Sequence, residues 1–282
     1  MKTLEKQCAV VTGGARGIGR AICLQLAERG ANIYVTDMLA DELNETVALC
    51  RERGVGAACE VADITKPGAV EHVIEAAVEK FGQLDIMVNN AGISQKPVAR
   101  FLDDDLSDFE RVMAVNLKGV MLGSQRAGRY MKEHGGGVII NNASMGGVVP
   151  GFAIQMYRAS KAAVIHFTKG IAIDLAEYGI RVNCISPGLI ETRLITFAEP
   201  GMTQDDIDRI NRAVVPAKFE SQPLKREGKP EDVANAVVFL ASKKAAQITG
   251  INMSIDGGHS TGDPINHLAA IMSARAEALK GG

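Results

Sequence analysis

The chain has 282 residues, enough to bury a large core, and its 46% hydrophobic and 23% charged residues describe a folded globular protein. Lysine and arginine (31) nearly balance aspartate and glutamate (33) with no basic cluster, which argues against nucleic acid or a membrane surface as partner. Five cysteines without a C-x-x-C pair, five histidines without metal spacing, and no leader or long apolar run point to a cytoplasmic, metal-free protein with reduced thiols.

Short β-branched or apolar runs recur at Cys8–Val11, Ile33–Thr36, Gly56–Val61, Asp85–Val88, Gly137–Asn141, Arg181–Ile185 and Gly250–Ile255, and helix-period segments separate them. Strands spaced by helices cannot pair as hairpins. The pattern predicts a parallel sheet seven strands wide with helices on both faces, a doubly wound α/β fold of Rossmann type. No repeat or low-complexity linker marks a boundary, so 1–282 reads as one domain.

After the first strand comes Thr12-Gly13-Gly14-Ala15-Arg16-Gly17-Ile18-Gly19, opening a helix with Ile22, Leu24 and Leu26 at apolar positions. Glycines let the backbone approach a pyrophosphate, and the N–H groups and dipole of the helix start hold that anion without a charged side chain. The spacing G-x-x-x-G-x-G departs from the more general G-x-G-x-x-G. Asp37 ends the second strand eighteen residues past Gly19, where a carboxylate can accept hydrogen bonds from an adenosine ribose. Pro67 suits a first helical position, and Val70, Val73, Ile74, Ala77 and Phe81 share one face, predicting a helix over Pro67–Phe81.

Asn89-Asn90-Ala91-Gly92 follows the fourth strand. With the T-G-x-x-x-G-x-G turn it makes residues 5–258 resemble the short-chain dehydrogenase/reductases. The resemblance implies a nicotinamide dinucleotide held by Gly13, Arg16, Gly17, Ile18, Gly19, Asp37 and Asn90, with Asp63 facing the adenine and Asn89 steadying the central strand. Asp103-Asp104-Asp105 reads as a solvated helix start before Phe109 rather than a metal site. Asn116 matches the family asparagine that holds a water in a proton relay.

Ser144 closes the fifth strand, and Tyr157 follows thirteen residues later, as in the family. Tyr157 and Lys161 stand four residues apart, hence on one helix face. A cation about 4 Å from a phenol contributes roughly 4 kcal/mol at an effective dielectric near 20, enough to bring its ionisation toward neutrality. The expected roles are Tyr157 as acid/base, Ser144 holding the substrate oxygen, and Lys161 tuning the phenol while binding the nicotinamide ribose. After the sixth strand, Pro187, Ile190 and Thr192 match the family segment that binds the carboxamide.

These residues point to hydride transfer between NAD and a secondary alcohol or ketone. An NADPH-dependent 3-oxoacyl-carrier-protein reductase and a non-catalytic dinucleotide sensor are the alternatives. The resemblance also implies a homotetramer paired through the helices Phe109–Glu133 and Tyr157–Tyr178. Residues 191–222 are the expected substrate lid, with Phe197, Met202 and a helix from Thr203 carrying Ile207, Ile210 and Val214 until Pro216. The tail from Ser260 to Gly282 reads as a helix with Asp263 as cap, Pro264 at its first position and a stripe of Ile265, Leu268, Ala269, Met272, Ala276 and Leu279. Such a stripe is expected either to pack near the lid of its own or a neighbouring subunit, walling an apolar pocket with Phe197 and Met202, or to lie on the surface as a helix that only adds interface area.

Overall fold

The computed structural model describes residues 2–192, 202–203, 205–206, 208–210, 212–213 and 219–280. Seven strands form one sheet: β1 (Cys8–Thr12), β2 (Asn32–Asp37), β3 (Ala57–Val61), β4 (Ile86–Asn89), β5 (Gly137–Asn142), β6 (Ile180–Pro187) and β7 (Asn252–Ile255). Their order is β3-β2-β1-β4-β5-β6-β7 and every pairing is parallel. The helices that connect and cover them are α1 (Gly17–Glu28), α2 (Ala40–Arg51), α3 (Ala69–Phe81), α4 (Phe109–Met113), α5 (Val120–Glu133), α6 (Gln155–Asp174) and α7 (Pro230–Ala241). A tail helix, α8 (Leu268–Lys280), follows β7.

Both sheet faces are covered, so the strands read as continuous apolar runs and alternation decides only which core each residue enters. Ala9 and Val11 of β1 pack with Ile22 and Leu26 of α1 and Val233 and Val237 of α7. Cys8 and Val10 face the other way, toward Val70, Val73 and Ala77 of α3 and Met131 of α5. Each fully buried valine or isoleucine contributes about 1.5–3 kcal/mol, which makes a one-residue slip of β1 prohibitive. Cys8, Cys23, Cys50 and Cys184 are buried and unpaired, and burial, with Asp85 nearby, pushes Cys8 up to about 12. They fill the core as inert thiols.

Several local expectations shift. Gly68 takes φ 77°, which breaks the helical path, so α3 begins at Ala69 and Pro67 lies outside it. The acidic run is not a helix start: Asp104 and Asp105 accept from the N–H groups of Leu106 and Ser107, and α4 opens only at Phe109. In the tail, Asp263 turns its carboxylate to the N–H of Ile265, and Asn266 accepts from Leu268 N. That turn keeps Pro264 out of the helix, which begins at Leu268. Leu268 and Met272 of the stripe, and Ile271 beside them, are more than half exposed, so no element among the described residues covers them. Of the lid, Phe197, Ile207, Val214 and Pro216 lie outside the described residues, as does the side chain of Leu279.

Candidate active site

Strand order reverses between β1 and β4, and the carboxyl ends of the strands open a crevice there. The glycine turn sits at the end of β1. Gly13 takes φ 67°, and a Cβ there would lie 2.7 Å from the Cα of Ala91. A Cβ on Gly19 would collide with the carbonyl of Gly13. Only glycine lets the turn, α1 and the β4 loop meet this closely. The N–H groups of Gly13 and Gly14 donate to Thr36 O, and Asp37 accepts from Ala15 N at 3.0 Å and Met38 N at 2.7 Å. Asp37 therefore both ends β2 and shapes the turn.

Arg16 is exposed and extended, and no side chain caps the first turn of α1. Gly17, Ile18 and Gly19 begin that helix, so their amides and its positive dipole end offer an anion cradle. Asn90 is not aimed outward. Its Nδ2 donates to Thr12 O and Gly13 O at 3.0 and 2.9 Å, and its Oδ1 accepts from Asn142. It clamps the turn. Asn89 is buried against Ser124 and Asn141, tying β4 to β5 and α5. Asp63 accepts from the N–H and hydroxyl of Thr65, which hold its carboxyl below the usual range.

Ser144 follows β5 and caps a short 3-10 turn, accepting from Gly146 N at 3.0 Å. The Tyr157 phenol is near enough for the Ser144 hydroxyl to favour its ionised form. Tyr157 is only 8% exposed, on the first turn of α6. Lys161 is buried one turn on, with Nζ donating to Asn142 O at 2.8 Å and lying 5.8 Å from the Tyr157 ring centre. The phenol is pushed up rather than down: burial dominates, and the Ser144 hydrogen bond and the Arg158 charge only partly oppose it. Burial pulls Lys161 itself down to about 8, and its ammonium donates to the Asn142 carbonyl.

Asn116 sits in a π-helical turn (Ala114–Gly119) that interrupts the run between α4 and α5. Its amide is spent on the protein: Oδ1 accepts from Ile93 N, while Nδ2 donates to Ile93 O and Ser160 Oγ. Between it and the lysine, Gly92 leaves a gap. A Cβ there would lie 3.2 Å from Lys161 Nζ and 3.4 Å from Asn116 Oδ1.

At the end of β6, Pro187 and Ile190 are buried, and Ile190 is bridged to Gly228. Thr192, half-buried, borders Gly17. Gln95, Ser160 and Gly228 hold site residues in place and escape a reading of motifs, because their contacts join distant segments and carry no local pattern. Among the described residues no group of three or more His, Cys, Asp or Glu side chains is arranged to hold a metal. No helix among them is long and apolar enough to cross a membrane.

The family described as enoyl-(acyl carrier protein) reductase matches residues 13–260. The chain is 38% identical over 260 residues to (+)-borneol dehydrogenase 2 of Salvia officinalis, covering 90% of this chain and 89% of that one. It is 40% identical over 260 residues to 3β-hydroxysteroid dehydrogenase 2 of Eggerthella lenta, covering 91% and 96%. The crystal structure of NAD+-bound xylitol dehydrogenase superposes with a TM-score of 0.80 at 33% identity, covering 91% of this chain and all of that one.

Proposed function

The chain belongs to the short-chain dehydrogenase/reductase family and is an oxidoreductase, and from that premise we propose that it interconverts an apolar or cyclic secondary alcohol and its ketone with NAD(H). The observation that carries this reading is the buried Tyr157 beside Ser144, with Lys161 buried one turn behind. In the oxidative direction Tyr157 Oη takes the alcohol proton and Ser144 Oγ holds the substrate oxygen. When bound, the nicotinamide supplies the acceptor for the hydride that leaves the alcohol carbon. Lys161 and the segment from Pro187 to Thr192 would hold the nicotinamide half, and the amides of Gly17 to Gly19 would hold the pyrophosphate. Asp37 would take the adenosine ribose and Asp63 would face the adenine.

The names of the relatives, a borneol and a hydroxysteroid dehydrogenase, support an alcohol on an apolar ring system. Val148 and Phe152 expose apolar surface on the loop after Ser144, and Val98 N donates to Ala153 O, tying this loop to the one after Gly92. Neither the 3-oxoacyl-carrier-protein reductase reading nor the sensor reading is favoured by these relatives. A panel of cyclic and linear secondary alcohols with NAD tests the assignment. Turnover confined to carrier-linked 3-oxo esters would sink it.

NAD is the proposed cofactor because Asp37 would repel a ribose 2′-phosphate. The expected preference is about 2–4 kcal/mol, one to three decades, softened by Arg16. An equal or higher kcat/KM with NADP would overturn it. A cytoplasmic homotetramer is also proposed. Exposed Phe109, Met121 and Ile173 on α4, α5 and α6 support pairing through those helices, and the uncovered stripe of α8 supports packing on a neighbouring subunit. Light scattering at micromolar concentration should give a mass of four chains. A monomer refutes it.

A further inference from the structure

The first turn of α6 carries the acid/base residue, yet its own capping position contributes nothing. Ile154 precedes the helix at φ −131°, ψ 57° and has no side-chain hydrogen bond to offer. The amides of Gln155, Met156 and Tyr157 are therefore orphan donors inside the protein. Gln95 answers the last two of them from about sixty residues away. Its side chain is 3% exposed, and its Oε1 accepts from Met156 N at 2.7 Å and Tyr157 N at 3.1 Å. Its Nε2 donates to Asp104 at 3.0 Å, and Asp104 in turn accepts from Leu106 N.

The other end of the Tyr157 peptide is held from the same loop. Ser160 Oγ donates to Tyr157 O at 2.7 Å, and Ser160 receives a hydrogen bond from Asn116, whose amide is locked on both backbone groups of Ile93. Residues 93–95 thus grip the N–H of Tyr157 directly and its C=O through two side chains. A phenol needs its oxygen placed within a fraction of an ångström to share a proton with substrate, and displacement of a reacting group by about 1 Å can cost up to 100-fold in rate.

We propose that Gln95 is a positioning residue for Tyr157, capping α6 from the loop after β4 and tying the tyrosine, through Asp104, to the segment that precedes α4. This rests on the assignment of Tyr157 as acid/base, and on the placement of one side chain that no local motif announces. Gln95 touches neither substrate nor cofactor in this role. Its effect falls on the proton step, not on dinucleotide binding.

The test compares the full-length wild type with Gln95→Leu, Gln95→Glu and Tyr157→Phe, using NAD and cyclohexanol or borneol as probe alcohols. Amide hydrogen exchange is followed on the same proteins without substrate. Gln95→Leu should lose protection at Met156 and Tyr157, drop kcat about tenfold and enlarge the solvent deuterium isotope effect on kcat, with KM for NAD within about twofold. Gln95→Glu keeps an oxygen that both amides can reach but sets a second carboxylate against Asp104, so it is paired with Asp104→Asn, whose amide can donate in return, and the double variant should recover most of kcat. Asp104→Ala, which frees only the far end, should cost about two- to threefold. If leucine prevents folding, Gln95→Asn withdraws the same amide by one methylene and should show the same pattern. Wild-type kcat and isotope effect in Gln95→Leu or Gln95→Asn, or a loss of kcat matched by an equal rise in KM for NAD, overturns the proposal. A Tyr157→Phe variant that stays active brings down the acid/base assignment itself. An inactive Tyr157→Phe beside an unimpaired Gln95→Leu removes only the role of Gln95.

Discussion

Along α6 a buried stripe runs through Tyr157, Lys161, Val164, Thr168 and Ala172, whereas along α8 Leu268, Ile271 and Met272 stand more than half exposed. The more polar of the two stripes is the one inside. α6 lies against β5 and β6 and is gripped by Gln95, Asn116 and Asn142, so even an ammonium finds a carbonyl in the interior. α8 lies beyond the last strand, and among the described residues no element covers it. Helical periodicity marks which residues share a face, and only neighbouring elements decide whether that face is buried.

Removing one oxygen from α6 should have the largest effect. Tyr157→Phe is expected to lower kcat at least about 100-fold with cofactor binding nearly intact, because only the proton donor and acceptor is lost. Lys161→Ala should harm turnover and cofactor binding together. Steady-state kinetics with NAD decides both, and a phenylalanine variant with most of its kcat at neutral pH would end the contrast between a working helix and a covering one.

The next effect is on stability against pH. Lys161 is held at about 8 in the folded chain against an ordinary lysine value of 10.5. Between those values the unfolded chain carries a proton that the folded chain does not, so this group makes stability rise with pH. Its contribution is present in full above 10.5 and is lost as pH falls through 8. Urea unfolding of wild type and Lys161→Met at pH 7.5 and 10 isolates it. The wild type should gain on the variant at the higher pH, by up to about 3 kcal/mol. A parallel pH dependence in the two proteins would mean the lysine is not buried in its charged-averse setting.

Packing gives a smaller contrast. Val164→Ala removes buried methyl groups and should cost about 2 kcal/mol in chemical denaturation, while Leu268→Ala should stay within about 0.5 kcal/mol in the dissociated chain. A larger cost at Leu268 in the assembled protein, absent on dissociation, would locate its partner across a subunit boundary. Deleting residues 262–282 should have the mildest effect on the chemistry. A few-fold rise in KM for bulky alcohols with NAD affinity unchanged is expected if α8 walls a neighbouring pocket. Kinetics equal to the full chain on every alcohol would leave α8 as interface area alone.

Much of the site is legible in residues close in the chain. The glycine turn, Asn89-Asn90-Ala91-Gly92, Ser144 and the Tyr157–Lys161 spacing are local patterns, and the fold brings Ser144, Tyr157 and Lys161 to one strand end. The direction of the Tyr157 shift was not legible, because desolvation depends on everything packed around the ring and outweighs any single pair. Gln95 was not legible either. A glutamine in a loop has no pattern until the helix it caps arrives beside it.

What the sequence by itself determined is the set of seven strands, their alternation with helices and the spacing of the chemistry-bearing residues, since these follow from periodicity and from steric demands within a turn or two. Element starts depended on single backbone angles and on competing side-chain acceptors, as Gly68 and Asp263 show. Tertiary structure alone decided that Asn90 clamps the turn, that Gln95 and Asn116 hold Tyr157 from both sides, that Lys161 is buried, and that Leu268, Ile271 and Met272 of α8 stand exposed. Each of these is a balance of solvation against contacts between segments far apart in the chain, which no local window contains.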